Sequence, residues 1–179
     1  MKIIRLEKKS NFNKAYIYKS PIGNLILTVN ETFQYITSLE FNLKNIKISS
    51  DDEEPSIIKQ AKKELEDYFS NSLKKFSIPL AVYGTDFQYN VWMETSKIPF
   101  GKVVTYSDIA RNISDKKGSI SRAVGTAEGK NKIAIIIPCH RVVGVNKKLT
   151  GYAGGLDKKE YLLKHEGFDI VNSKIIIMK

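Results

Sequence analysis

The chain has one cysteine in 179 residues, with two histidines, one tryptophan and five prolines. A single thiol excludes an intramolecular disulfide framework and any zinc site built from several cysteines, which suits a reducing compartment. No apolar run approaches the roughly 20 residues needed to cross a bilayer, so no membrane span is expected. The start, MKIIRLEKKSNFNK, turns charged where a secretory signal continues apolar, so no export is expected. Acidic residues are the scarcer charge, 19 against 29 Lys and Arg, and the formal net charge is +10. Apolar residues are plentiful: 42% of the chain is hydrophobic and 10% aromatic, too much for a disordered protein. The length suits one large domain or two small ones. The expectation is a soluble, basic, intracellular protein whose partner is an anion.

The charge is unevenly placed. Residues 1–84 hold 13 basic and 10 acidic side chains, whereas 85–179 hold 16 and 9. Within 101–148 alone there are 10 basic residues, Arg111, Arg122, Lys130 and Arg141 among them, against Asp108, Asp115 and Glu128. Concentrated positive charge is the footprint of a polyanion binder. A solvated basic surface explains the same numbers.

In the first part, AYIY (15–18), a SPIGN turn and LILTV (25–29) read as a hairpin. Phe33, Tyr35, Leu39 and Phe41 alternate and predict a third strand with one buried face. The acidic run 51–54 followed by Pro55 is a helix entrance, and Ile57, Ile58, Ala61, Leu65, Tyr68 and Phe69 follow at helical spacing. Residues 1–80 are therefore read as a small antiparallel sheet with one covering helix and nothing catalytic, and 70–84 as a linker.

The second part, 81–179, reads as mostly helical. TDFQ (85–88) has the form of a capping box, and Phe87, Val91, Trp92 and Thr95 share the face of the helix it opens. Thr105 can cap a second helix from Tyr106 to about Ile113, with Ile109 and Ala110 inward. A polar turn, SDKKG (114–118), leads to a third from about Ser119 to Glu128. Two short helices with Arg122 on the second make a helix-turn-helix pattern. Ala123, Gly125, Thr126 and Ala127 are small enough to let that helix approach a partner closely, although ordinary helix packing uses the same residues.

The chemistry gathers around Cys139. The apolar run 135–137 is expected to be extended and buried, and Pro138 stops it just before Cys139, His140 and Arg141. A lone cysteine is more often a small core hydrophobe than a nucleophile. Its neighbours shift that balance: His140 and Arg141 can favour a thiolate, whose ordinary pKa is about 8.5. Glu166 follows His165 at the end of a last helix, expected to be capped by Asp157 and Glu160. It can return toward the Cys-His pair and orient the base.

IPCHRVV (137–143) resembles the active-site signature of the O6-alkylguanine-DNA alkyltransferases, the methylated-DNA–protein-cysteine methyltransferases. FQ (87–88), VW (91–92), PFGKVVTY (99–106), RAVG (122–125), Asn131, GYAGG (151–155) and LKHEG (163–167) match in order and approximate spacing. The resemblance covers nearly all of 85–168, and the earlier part suits the family in size and strand-rich character. It implies an α+β protein with a small ribonuclease H-like sheet-plus-helix domain over 1–80. A mostly helical domain over 81–179 would then carry the helix-turn-helix and the reactive Cys.

The resemblance also implies roles. The catalytic set is Cys139, His140, Glu166, Tyr106 and Asn131. Cys139 takes the alkyl group from O6 of guanine, and also O4 of thymine, as a thioether that has no easy leaving step. Each chain then acts once. His140, acting through a water, removes the thiol proton while Glu166 holds its imidazole, and Tyr106 supplies a proton to the departing base. Asn131 ties the reactive segment to the DNA-binding helices. The target nucleotide leaves the stack, Arg122 fills the gap, and Tyr106, Ser107, Ala123, Gly125 and Ala127 face the minor groove. Tyr152, Val142, Ala153, Gly154 and Ala134 line the alkyl pocket. The implied partner is double-stranded DNA carrying O6-alkylguanine, with no cofactor, no metal and no membrane. The chain is expected to act as a monomer in the cytoplasm, or in the nucleus or nucleoid where DNA is compartmentalised.

The chain departs from some members in carrying Ala134 in place of proline, Ala153 in place of serine, and a longer 114–118 loop. It also lacks the cysteines of the zinc site found in certain members. Three other readings compete. An alkyltransferase-like protein that binds lesions without chemistry would replace the nucleophile. A helix-turn-helix regulator would leave Cys139, His140 and Glu166 unexplained, and a cysteine hydrolase takes its His from a distant segment.

Overall fold

A computed structural model describes residues 1–9, 14–42, 47–49, 54–114 and 120–176, which fall into two compact units, Met1–Gly84 and Thr85–Lys179. In the first unit the strands are β1 (Ile3–Arg5), β2 (Lys14–Ser20), β3 (Gly23–Val29), β4 (Ile36–Glu40), β5 (Lys47–Ile48) and β6 (Leu80–Val82), with helix α1 (Ser56–Phe69). The expected hairpin is there: β2 and β3 pair antiparallel from Ala15↔Thr28 to Ser20↔Gly23, and the Ser20 hydroxyl donates to the Gly23 carbonyl across the turn at 2.6 Å.

The sheet is mixed, where an antiparallel one was expected. Its order is β1-β6-β4-β3-β2-β5, and β6 lies between β1 and β4, parallel to both. The stretch read as a linker therefore contains an interior strand, and the first unit runs to Gly84 rather than residue 80. Leu80, Ala81 and Val82 are all buried, the unbroken apolar pattern of a strand covered on both faces. The third strand also starts later than its alternation suggested. The Asn30 side-chain oxygen accepts from the backbone N–H groups of Gln34 and Tyr35, closing a turn in which Phe33 has φ 56° and lies exposed. Pro55 sits at the N-cap of α1, and the acidic residues 51–53 lie outside the described set. Ile57, Ile58, Ala61, Leu65 and Tyr68 are buried as the spacing predicted.

The second unit holds α2 (Asp86–Ser96), β7 (Val104–Thr105), α3 (Tyr106–Ile113), α4 (Ser121–Glu128), β8 (Val142–Val143), α5 (Leu156–His165), β9 (Asp169–Val171) and β10 (Lys174–Ile176). Both N-terminal signals act as read. Thr85 caps α2 with Gln88 reaching back, and Thr105 caps α3 with Asp108 reaching back. Val91, Trp92 and Thr95 of α2, Ile109 and Ala110 of α3, and Val124 and Ala127 of α4 are buried, and the Trp92 indole N–H donates to the Ala127 carbonyl at 2.9 Å. Residues 115–119, which carry most of the polar turn and the expected start at Ser119, lie outside the described set.

Two local devices position the site. The short parallel pair β7–β8, with Val104↔Val142 and Thr105↔Val143, ties the strand that leads into Tyr106 to the strand that follows the Cys139–Arg141 turn. Gly155, at φ 97°, turns the chain into α5. Asp157 lies in the first turn of α5 and Glu160 in its middle; neither caps it through a side-chain hydrogen bond, because the N-cap is Gly155. The β9–β10 hairpin closes a small core with Val143, Leu149, Leu163, Ile170 and Ile175. No described helix is long and apolar enough to cross a membrane.

Candidate active site

Residues 133–137 form a compact turn instead of the extended run read from the sequence. Ile136 N–H donates to Ala134 O at 2.7 Å and Ile137 N–H to Ile133 O at 3.0 Å, while Ile135 is held at φ 69°. A β-branched residue at positive φ costs on the order of 1–3 kcal/mol and persists only where the surroundings enforce it. Here the three isoleucines 135–137 are buried, and Asn131 pins both ends of the turn. Its Oδ1 accepts from Ile133 N–H at 2.9 Å, and its Nδ2 donates to Ile137 O at 2.9 Å. The same Nδ2 lies 3.3 Å from Cys139 Sγ. Asn131 thus fixes the reactive sulfur directly and follows α4 by only a short turn.

Cys139, His140 and Arg141 form a single 3-10 turn, all buried. Glu166 Oε1 lies 2.8 Å from His140 Nε2, and the Arg141 guanidinium donates to both Glu166 oxygens, Nε to Oε2 at 2.9 Å and Nη2 to Oε1 at 2.9 Å. Arg141 Nη1 also reaches Ile98 O at 2.6 Å, and Gly101 N–H donates to Glu166 at 3.2 Å. Burial pushes the Glu166 carboxyl up, but its bonds to His140 and the Arg141 charge outweigh this and hold it at about 2. Glu166 is therefore ionised, and Nε2 of His140 carries the hydrogen that it donates. Burial lowers the imidazole pKa despite Glu166, so the ring is neutral at physiological pH. Its Nδ1, also buried, has no hydrogen-bond partner among the described residues and is an unused acceptor.

Arg141 was expected to favour a thiolate; instead its charge is engaged by Glu166. Burial, helped by the charge of Glu128, pushes the Cys139 thiol up to about 12, against the opposing pull of Asn131 and Lys159. The resting group is a thiol, and its reaction requires a base.

Cys139 opens on a pocket of about 230 Å³, lined by Tyr106, Gly125, Glu128, Gly129, Gly151, Tyr152 and Ala153. Of the residues assigned to the alkyl pocket, Tyr152 and Ala153 are on its wall. Val142 is buried in β8, Ala134 in the 133–137 turn, and Gly154 lies in the turn before α5; none of the three lines it. The Tyr106 hydroxyl donates to Thr150 O at 3.3 Å, and burial raises its pKa, so it keeps its proton.

The candidate DNA-facing residues divide. Arg122 and Ala123 are exposed on α4, Gly125 is half-buried against the Tyr106 ring, and Ser107 pairs with Ser121 at 3.2 Å, joining α3 to α4. Ala127 points inward at 2% exposure and cannot face a duplex; Thr126 is exposed beside Arg122 in its place. Sequence reasoning missed Lys159. Fully buried, it donates to the carbonyls of Val142 and Thr150, each at 2.7 Å, and so ties β8 to the pocket loop. The available signal was its place on the α5 face of Leu162 and Leu163, where a lysine is out of pattern. Glu128, at the end of α4 on the pocket wall, was also missed.

The chain is similar to known proteins over most of both units. The family model of the 6-O-methylguanine DNA methyltransferase DNA-binding domain matches residues 86–168, and that of the ribonuclease-like domain matches 14–82. A methylated-DNA–protein-cysteine methyltransferase of Methanosarcina acetivorans is 47% identical over 152 residues, spanning 84% of this chain and 96% of the relative. The constitutive Bacillus subtilis protein of that name is 37% identical over 153 residues, spanning 83% and 92%. The crystal structure of Mycobacterium tuberculosis OGT in complex with DNA is similar with a TM-score of 0.74 at 37% identity, covering 86% of this chain and 92% of that one.

Proposed function

Since the chain belongs to the 6-O-methylguanine DNA methyltransferase family, we propose that it repairs duplex DNA by moving the alkyl group of O6-alkylguanine onto Cys139, once per chain. The observation that carries this reading is a buried thiol, oriented by Asn131, on the wall of a small pocket with a neutral His140 held by Glu166 behind it.

The roles follow from the chemistry of each group. His140 Nδ1, through a water, takes the thiol proton as sulfur attacks the alkyl carbon. The carbon–O6 bond breaks, its electron pair moves into the purine, and Tyr106 protonates the departing base from across the pocket. The thioether has no leaving step, so the protein is consumed. A base inside a duplex cannot reach the pocket, so the nucleotide is extruded. Arg122, exposed on α4, fills the vacated stack, and the short Ala123 and Thr126 allow α4 into the minor groove. The protein acts as a monomer, in the compartment that holds the DNA.

Arg122→Ala separates duplex handling from chemistry. Transfer from a duplex containing one O6-methylguanine is expected to slow about 10- to 100-fold, from the few kcal/mol of unstacking left uncompensated, while reaction with the free base O6-methylguanine survives. Equal loss on both substrates would make Arg122 structural. DNA affinity is also expected to fall as salt rises.

A further inference from the structure

Protonation of the departing base leaves Tyr106 as a phenolate, and the alkyl-transfer scheme names nothing that bears this charge. A tyrosine ordinarily gives up its proton only near pH 10. Burial pushes the Tyr106 value higher, a hydrogen bond from the Thr150 side chain pulls against it, and the acidic groups Glu128 and Cys139 add to the rise. Thr150 meets the phenol twice. Its carbonyl accepts the phenolic proton at 3.3 Å, and its hydroxyl donates from Oγ1 to the same phenol oxygen at 3.4 Å. Both are long for bonds between oxygens, as catalytic contacts are before substrate draws them tight. Thr150 is itself fixed from two sides. Leu149 before it is buried in the core closed by the β9–β10 hairpin, and its N–H donates to Ser173 O at 2.8 Å. The buried Lys159 ammonium donates to the Thr150 carbonyl at 2.7 Å and to those of Val142 and Gly151 at 2.7 and 3.3 Å. Its charge offsets the repulsion between that carbonyl and a phenolate oxygen beside it.

We infer that Thr150 is a positioning residue for the proton donor, its hydroxyl cradling the Tyr106 oxygen as that oxygen gives its proton to the departing base. The inference rests on the alkyl-transfer reading and assigns the charge which that reading leaves on Tyr106. At rest the phenol O–H points to the Thr150 carbonyl. When the extruded base fills the pocket, the O–H turns to a ring nitrogen of the purine. The thiol proton passes through water to His140, and the sulfur–carbon bond forms as the carbon–O6 bond breaks. The released electron pair enters the purine, and the phenol proton neutralises it there. The phenolate then accepts from Thr150 Oγ1. A hydrogen bond to an ionised acceptor is roughly twice as strong as the neutral one it replaces, so the gain arrives as the charge develops. Solvent afterwards returns a proton to Tyr106 and takes one from His140, so the protein ends with no net change of charge. Thr150 is exposed in the free protein, and the seated base keeps water from taking over its task during transfer.

The test follows methylation of Cys139 from two donors: a duplex containing O6-methylguanine, whose departing base takes a proton, and methyl iodide, whose departing iodide takes none. Thr150→Val removes the hydroxyl and keeps the carbonyl and the branched shape. At saturating duplex it is expected to slow single-turnover transfer by about 3- to 30-fold. Its reaction with methyl iodide is expected to stay within about twofold of wild type, because the thiol and its base are untouched. Thr150→Ser restores the hydroxyl and is expected to bring the duplex rate to within about threefold of wild type. Thr150→Ala takes the place of Thr150→Val if the latter does not fold. A wild-type duplex rate in Thr150→Val, equal slowing with both donors, or Thr150→Ser as slow as Thr150→Val overturns the inference. Failure of the wild type to take methyl from the duplex, while methyl iodide still labels Cys139, overturns the alkyl-transfer reading itself, and this inference with it.

Discussion

Replacing Glu166 with alanine is expected to lower stability by about 3–5 kcal/mol at neutral pH and to abolish measurable transfer. The magnitude follows from what the carboxylate leaves behind. The Arg141 guanidinium, 5% exposed, loses its bidentate partner in a place where water cannot replace it, and Gly101 N–H and the imidazole lose an acceptor. The effect has a defined pH window. The Glu166 pKa is lowered from 4.5 to about 2 on folding, so its stabilisation is fully present above pH 4.5 and disappears as pH falls through 2. Denaturant melts of wild type and variant should therefore differ fully at pH 7 and converge on acidification. Equal stability at pH 7 would contradict the buried ion pair.

His140→Gln carries the second large effect. A thiol with a pKa of about 12 holds roughly one part in 10⁵ as thiolate at pH 7. Direct attack by free thiolate is correspondingly slow, and in the proposed mechanism the unpartnered Nδ1 of a neutral His140 is the base. Glutamine can still donate to Glu166 but offers no comparable base. Single-turnover transfer is expected to fall about 10²- to 10⁴-fold at pH 7. In the variant the rate should then climb about tenfold per pH unit as thiolate becomes the attacking species, whereas the wild type stays shallow. A variant with wild-type rate and pH profile would remove His140 from the proton path.

Much of this was legible because it was local. Thr85 with Gln88 and Thr105 with Asp108 announce their helices within four residues, and the hairpin of β2 and β3 is carried by its turn and alternation. The reactive set was legible through a resemblance, because PCHR is contiguous. What was lost depends on distant partners. A three-residue strand such as Leu80–Val82 has no period to detect, and it becomes a strand only by pairing with Ile3–Arg5 and Ile36. Arg141 looks like surface charge or a thiolate partner until Glu166 is seen against it. Counting it toward a DNA-facing patch overstated that patch. The inward turn of Ala127 follows from Trp92, thirty-five residues earlier in the chain. Lys159 and Glu128 were passed over because lone charged residues on short helices usually face water.

Intact-protein mass after incubation with an excess of duplex containing O6-methylguanine distinguishes a single transfer to the protein from turnover. One added methyl per chain is expected, mapped to Cys139, with the amount of DNA repaired equal to the amount of protein and nothing added to Cys139→Ala. Methyl loss from DNA by Cys139→Ala, or many lesions repaired per molecule of wild type, would contradict it.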